Sequence, residues 1–500
     1  MSRRDRLGAR VILLAGSASL VLGTAACGPE LVPGRESFSD GYAGDTGLDT
    51  GDTGTDTTSE DPGTETGPIE PEECPELIQT ASLSINSAEE LATLDGVTRI
   101  DGNLEITGEF GELPEGLWAL RCLEEIGGFV YVHDHDLRDF TGLERLRRIG
   151  GYLYVGQSSQ LRDFTGLSAL RQIGSYLNIV DNSGLQSLTG LDLLVDVGDF
   201  VIVSYNPALL DIDGLAGLPG THNQLRIEGN SSLTNLDGLA GMIGVGGDFG
   251  IYSNPSLVDT SGVAGIQAIG GDVRWQGNAQ VTHLNLESVE TIDGSLVLSN
   301  MPALVDLDDL FGLIGIQNSL IVLDTGLTGF DGLADLEWLG GTLWIQGNPQ
   351  LVDLHGLESV TEVFGWLRID QNPALVSTAG LANLQITHDW LSIAGNPSLQ
   401  ELGLTSLEVA AGDVRIYFTG LNGIDPLPNL TTVVGDLRII DNPGLGDVAG
   451  FTNLTTIGGN LAVFSNPTLP TCAATGLADQ LDVLGGGASI FANLPDACGG

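Results

Sequence analysis

The sequence predicts an all-β fold, a parallel β-helix-like solenoid of about 17–18 turns of 23–24 residues. Three observations predict it. A unit of the form I-G-G-x-L-x-I-x-x-N-P-x-L-x-x-L-x-G-L-x-x-L recurs from about residue 74 to the end. Its starts fall at 100, 126, 149, 173, 197, 221, 245, 269, 292, 316, 339, 363, 387, 410, 433, 457 and 484, with a weaker unit near 79. The spacing is 23 or 24 residues except for 26 and 27 at the two ends. A unit this short cannot bury its own apolar face, so stability must come from stacking on its neighbours.

Each element of the unit has a physical role. The L-x-I segment alternates with period two, as a strand with one inward face does. Asparagine follows nine residues into the unit at Asn182, Asn206, Asn230, Asn254, Asn278, Asn348, Asn372, Asn396, Asn442 and Asn466, often with proline next. Such a residue turns the chain and bonds the backbone of the adjacent turn, satisfying polar groups the stack would otherwise bury. The later leucines fill the remaining corners of the core.

The chain has 500 residues, 66 acidic and 18 basic, all of the latter arginine, for a formal net charge of −48. Such a field repels phosphate at a distance, so nucleic acid is not expected as a partner. Yet 42% of the residues are apolar, too many for a disordered acidic chain, so a large core exists.

Before the array the sequence changes twice. Residues 1–27 read as an export signal: Arg3, Arg4, Arg6 and Arg10 precede a short apolar run that ends in T-A-A-C. The apolar run is too short to span a bilayer. The T-A-A-C run resembles the bacterial lipobox, whose cysteine is lipidated, although Thr24 stands where that family usually has leucine. The resemblance implies lipidation at Cys27 and attachment to a membrane through lipid alone, and Gly28 after it implies the outer membrane, where the array would face the surface. The segment S-R-R-D-R-L resembles a twin-arginine signal only weakly, because its aromatic residue is missing.

Residues 28–73 carry Asp-Thr-Gly three times, at Asp45, Asp49 and Asp52. In aspartic proteases that tripeptide is delivered to a dry cleft by a packed apolar strand, and here no apolar strand flanks it. The carboxylates do not alternate as a calcium loop requires. The segment is expected to be a solvated acidic tether with a coil span of roughly 35–40 Å.

In the array, glycine before the strand, asparagine after it and the leucine spacing resemble the receptor L domain, a right-handed relative of leucine-rich repeats, over roughly residues 76–495. The resemblance implies fold and a recognition role, with about three times as many turns as those domains have. Four cysteines lie at the ends of the array, Cys74 and Cys122, then Cys472 and Cys498. Three pairings are possible, and proximity along a stack favours 74 with 122 and 472 with 498 as end caps.

Stacking the units places repeat-equivalent residues in columns. Arg226, Arg274, Arg368, Arg415 and Arg438 share one outward column with Trp344, Tyr131 and Tyr154. Two residues earlier stand Asp272, Asp413, Asp436, Trp366, Trp390, Phe129, Tyr152, Tyr176 and Phe200. Two consequences are open. The pairs can stabilise an exposed sheet by mutual neutralisation and ring packing, or the face can recognise a glycan or an envelope protein, and the two are compatible.

The run His133, Asp134, His135, Asp136 is the densest set of metal-ligand types, with the two histidines expected on one strand face. However, His135 occupies the asparagine position of its unit, and no metal or cofactor is expected. No nucleophile motif appears, and the repeated Gly-Gly pairs are tight bends rather than phosphate loops. The function expected is therefore non-enzymatic binding. The alternatives are a β-helix polysaccharide lyase, disfavoured because the turns leave no long loop to wall a cleft, and a passive spacer.

Overall fold

The computed structural model describes residues 74–108 and 116–495. The signal, Cys27, the tether and Cys498 lie outside the described residues, and with Cys498 lies the expected bridge to Cys472.

Each predicted start coincides with the second residue of a two-residue strand, from Arg99–Ile100 to Val483–Leu484, with Ile78–Gln79 as the weak first unit. These short strands make three parallel six-stranded sheets. The L-x-I segments make one long parallel sheet, in which successive turns pair in register, for example Leu177, Asn178, Ile179 and Val180 with Val201, Ile202, Val203 and Ser204. That sheet is open: Leu83–Ile85 pairs only with Leu104–Gly108, and Ala488–Phe491 only with Leu461–Phe464. The third side of several turns is a 3-10 turn such as Asp213–Leu215 or Asp237–Leu239. Two short helices, Ala88–Ala92 and Thr471–Asp479, are added near the ends. The expected all-β parallel solenoid is therefore the observed fold.

The core is one continuous column. Leu177 and Ile179 of the strand and Leu185, Leu188, Leu191 and Leu194 of the later corners have no exposed area, and the same positions repeat along the array. All ten named asparagines are fully buried. Within the ladder each links neighbouring turns, and most of them bridge three. The Asn206 amide N–H donates to Asn230 Oδ1 at 3.1 Å, and its Nδ2 reaches back to the Ile179 carbonyl at 3.1 Å. Where Met301 replaces asparagine, the flanking strands lengthen to Leu296–Met301 and Leu320–Thr325, and Thr325 resumes the ladder by donating to Asn348 Oδ1.

One feature of the turn has no counterpart in the expected unit. The residue just before the ladder position has positive φ in turn after turn. Of the thirteen non-glycine residues with positive φ among the described residues, all but Asn285 stand there, among them Asp181 (58°), Tyr205 (56°) and Phe418 (50°). Glycine takes this place at Gly229, Gly277, Gly347 and Gly395, where the left-handed conformation carries no Cβ penalty. Cys74 and Cys122 are joined, with Cα atoms 5.6 Å apart, and staple the first turns.

Candidate functional site

The outward columns expected from the spacing are real columns on one face of the long sheet. Register pairs Tyr131 with Tyr154, Ile321 with Trp344, Trp344 with Arg368, Ser392 with Arg415, and Arg415 with Arg438. The preceding column is carried by backbone bonds between turns, such as Leu343 N–H to the Trp366 carbonyl and Leu367 N–H to the Trp390 carbonyl. Every one of these aromatic and arginine side chains is half-buried. None points into the core. The tryptophan that does is Trp275, fully buried against Phe249 with its indole N–H unpartnered.

The aromatic residues form two groups. Phe129, Tyr152, Tyr176 and Phe200 stack in series, centroids 4.5–4.6 Å apart and planes within 3–6°. Tyr131 stacks beside them on Tyr154 at 4.6 Å. Burial pushes the Tyr152, Tyr154 and Tyr176 phenols up, so they stay neutral. Farther along, Trp344 tilts against Trp366 at 5.2 Å and Trp366 stacks on Trp390 at 5.0 Å. The rung spacing of a sheet, about 4.8 Å, is close to the thickness of a ring in contact with the next, so equivalent aromatics on adjacent turns stack face to face. Their faces are consequently covered by one another, and solvent meets mainly their edges.

The arginines of the column are compensated within the chain. Arg226 pairs with Glu228, Arg368 Nε with Asp370 at 2.6 Å, and Arg415 with Asp413 at 2.9 Å. Arg274 bonds Asp272 and lies 3.4 Å from Asp248, while Arg438 bonds Asp436 and lies 3.1 Å from Asp413. Most partners are two residues away on the same strand face. Arg226, Arg368 and Arg415 also lie over the rings of Tyr252, Trp344 and Trp390, at 5.0, 5.2 and 5.3 Å from the ring centroids.

The aspartates have a second task. Asp413 Oδ1 accepts the Asp436 backbone N–H at 2.9 Å, and Asp248 Oδ1 accepts that of Asp272 at 2.9 Å. At Asp413, burial pushes the carboxyl up, but this N–H and the Arg415 and Arg438 guanidiniums outweigh it and hold the group below its usual range. The face is therefore a flat surface of ring edges and matched ion pairs, with neither a general base nor a free nucleophile among the named residues.

The histidine pair corrects one expectation. His133 and His135 do not share a face. Asp134, at φ 49°, turns the chain between them and the register shifts there. His133 stays outward between Asp134 (3.2 Å) and Glu105 (3.7 Å), while His135 turns into the ladder, 5% exposed, its Nδ1 accepting the Leu137 N–H. Burial lowers the His135 pKa to about 4. Among the described residues no group of three or more His, Cys, Asp or Glu side chains could hold a metal ion.

An open cleft of about 520 Å³ lies on the asparagine corner, lined by Pro397, Phe418, Asp441, Pro443, Ser465 and Pro467 among others. It holds a single carboxylate and no basic side chain. Among the described residues no helix is long and apolar enough to cross a membrane.

No protein-family model matches the chain, and no curated protein is similar to it. Several solved structures are similar to it, three of them as follows. One is a leucine-rich-repeat protein of Leptospira interrogans, 14% identical, covering 69% of this chain and 91% of that one, with a TM-score of 0.30. An internalin of Listeria monocytogenes is 17% identical over 81% of this chain and 88% of that one, TM-score 0.29. TLR13, solved in complex with ssRNA13, is 13% identical over 83% of this chain and 77% of that one, TM-score 0.27. At these values the likeness carries no argument about this chain, and the fold stands on its own geometry.

Proposed function

We propose that the protein is a non-enzymatic recognition scaffold of the cell envelope. It is lipid-anchored through Cys27 in the outer membrane, lifted off it by residues 28–73, and docks an envelope protein on the sheet face around Trp344, Trp366 and Trp390. The observation that carries this reading is the sheet face itself, an uninterrupted run of parallel strands whose outward aromatic and arginine columns stay in register and half-buried. A flat face with aromatic and arginine residues at its centre is the composition of a protein interface core.

The covered ring faces favour protein over glycan. A sugar ring stacks on an open aromatic face, and here those faces are taken by neighbouring rings and guanidiniums. The enzyme reading lacks a walled cleft with paired catalytic groups.

The test uses the full chain with a photo-crosslinking residue at Ser392, between Arg368 and Arg415. A crosslink to a discrete envelope protein, lost in the Trp366→Ala/Trp390→Ala variant, is expected. Retention on a glycan array that vanishes in the same variant would replace protein by glycan. Neither signal would leave only the spacer reading.

A further inference from the structure

The arginine column of the sheet face is neutralised by its own carboxylates, but a second set of arginines is not. Arg138, Arg145, Arg147, Arg162 and Arg171 are all exposed, and among the described residues no side-chain hydrogen bond or ion pair engages any of them. They lie within two adjacent turns, those starting at 126 and 149. Seven of the chain's 18 arginines fall between residues 121 and 172.

The stacking sets them side by side. Arg171 N–H donates to the Arg147 carbonyl at 2.9 Å, and Arg162 N–H to the Arg138 carbonyl at 2.8 Å, so each pair occupies consecutive rungs. Three neighbouring acids are engaged by backbone N–H groups, and Glu124, one rung before Arg147, makes no ion pair with it. Asp139 accepts the Thr141 N–H, Asp163 the Thr165 N–H and Glu144 the Gly142 N–H. Like charges on neighbouring rungs repel, and no ion pair among the described residues offsets that cost. An oxyanion seated between two guanidiniums would convert the repulsion into charge-assisted, bidentate hydrogen bonds.

We propose that these two turns form a second binding site, for an extended polyanionic saccharide whose carboxylate or sulfate groups are held by arginine pairs on consecutive rungs. The ligand must be a chain, because Arg138 and Arg162 precede the tight turns at Phe140–Leu143 and Phe164–Leu167 while Arg147 and Arg171 follow them, on another side of the coil. A planar lipid surface meets one side only. The net charge of −48 opposes any anion at a distance, so recognition must be by contact, within the screening length of about 8 Å at physiological salt. This inference is independent of the function proposed for the sheet face.

The test measures binding of the purified full chain to heparin and to polygalacturonate, with neutral dextran as control, from low to physiological salt. Binding to at least one polyanion is expected, weakening as salt rises, with a loss of at least about tenfold in Arg147→Glu/Arg171→Glu. Arg147→Lys/Arg171→Lys, which keeps the charge and removes the forks, should lose about threefold or more. Trp366→Ala/Trp390→Ala should bind the polyanion unchanged, which separates this site from the sheet face. Absence of binding to both polyanions at low salt overturns the proposal. So does an equal loss in Arg415→Ala/Arg438→Ala, whose arginines are already paired, or binding to phosphatidylglycerol vesicles without binding to either saccharide.

Discussion

Replacing Asn230 by alanine removes one link from the buried ladder, and the structure shows what is left behind. Asn230 Nδ2 donates to the Val203 carbonyl at 3.0 Å, and its Oδ1 accepts the Asn206 N–H at 3.1 Å. The side chain has no exposed area, so water cannot take over either bond. The Asn206 N–H loses its partner, while the Val203 carbonyl, which also takes part in the strand ladder with Leu225–Glu228, loses only a second donor, so the cost is about 1–3 kcal/mol. A repeat array unravels locally rather than as a single cooperative unit, so a melting temperature would dilute the effect. Native-state hydrogen exchange isolates it. Exchange of the Asn206 amide should speed up by about 5-fold to 140-fold, at tenfold per 1.4 kcal/mol, with the rise fading within a few turns on either side. Asn230→Thr should not rescue the Val203 carbonyl, because the hydroxyl that continues the ladder at Thr325 donates onward to Asn348 and not back. Unchanged protection at Asn206 would refute the view that the ladder satisfies the core.

Breaking the Cys74–Cys122 bridge with Cys122→Ala frees a 48-residue separation, for which loop entropy gives about 4 kcal/mol; limited proteolysis should then cleave the first turns while leaving the middle of the array intact. His135 gives a pH signature. Its folded pKa, about 4, lies below the ordinary value of about 6.5, so the unfolded chain binds the proton first. Its stability contribution is complete above pH 6.5 and falls by about 3 kcal/mol as pH drops to 4. Denaturant titrations at pH 7 and pH 4.5 should show that loss in the native chain, and His135→Asn should abolish it by supplying the amide the ladder uses elsewhere.

The turn starts, the strands, the asparagine ladder and the outward columns were all legible in the sequence for one reason. A parallel stack keeps residues 23 or 24 apart as spatial neighbours, so counting is enough to align Trp344 with Arg368 and Arg415 with Arg438. What counting cannot supply is conformation within a turn. The left-handed residue before the ladder was hidden because Asp, Gln, Ser, Tyr and Phe all fill it; the signal that could have found it is the glycine at 229, 277, 347 and 395, one place before asparagine each time. The same residue explains why the two histidines at 133 and 135 were misplaced, since alternation holds only as far as the left-handed turn. Nor could spacing reveal which arginines are paired. The column suggested exposed guanidiniums, but Asp or Glu two places away on the same strand face reaches them first, as Asp370 does for Arg368.

The same stacking rule explains why the chain uses asparagine inside and aspartate outside. In the ladder each side chain must both donate and accept. Asn230 gives a proton to one turn and takes one from another, which a carboxylate cannot do. A buried aspartate there would give the Val203 carbonyl no side-chain donor and bring ionised neighbours within one rung of each other. On the outer face only acceptance is required, and Asp248 and Asp413 each take the backbone N–H of the next turn while water and arginine screen the charge. The acidity of this protein is thus partly structural, because a carboxylate that caps the neighbouring turn is compensated where it stands. Arginine is then expected wherever two such carboxylates fall on consecutive rungs, as Arg438 does between Asp413 and Asp436. By that logic the arginines at 147 and 171, on consecutive rungs and in no ion pair among the described residues, are the ones available to the second site proposed above.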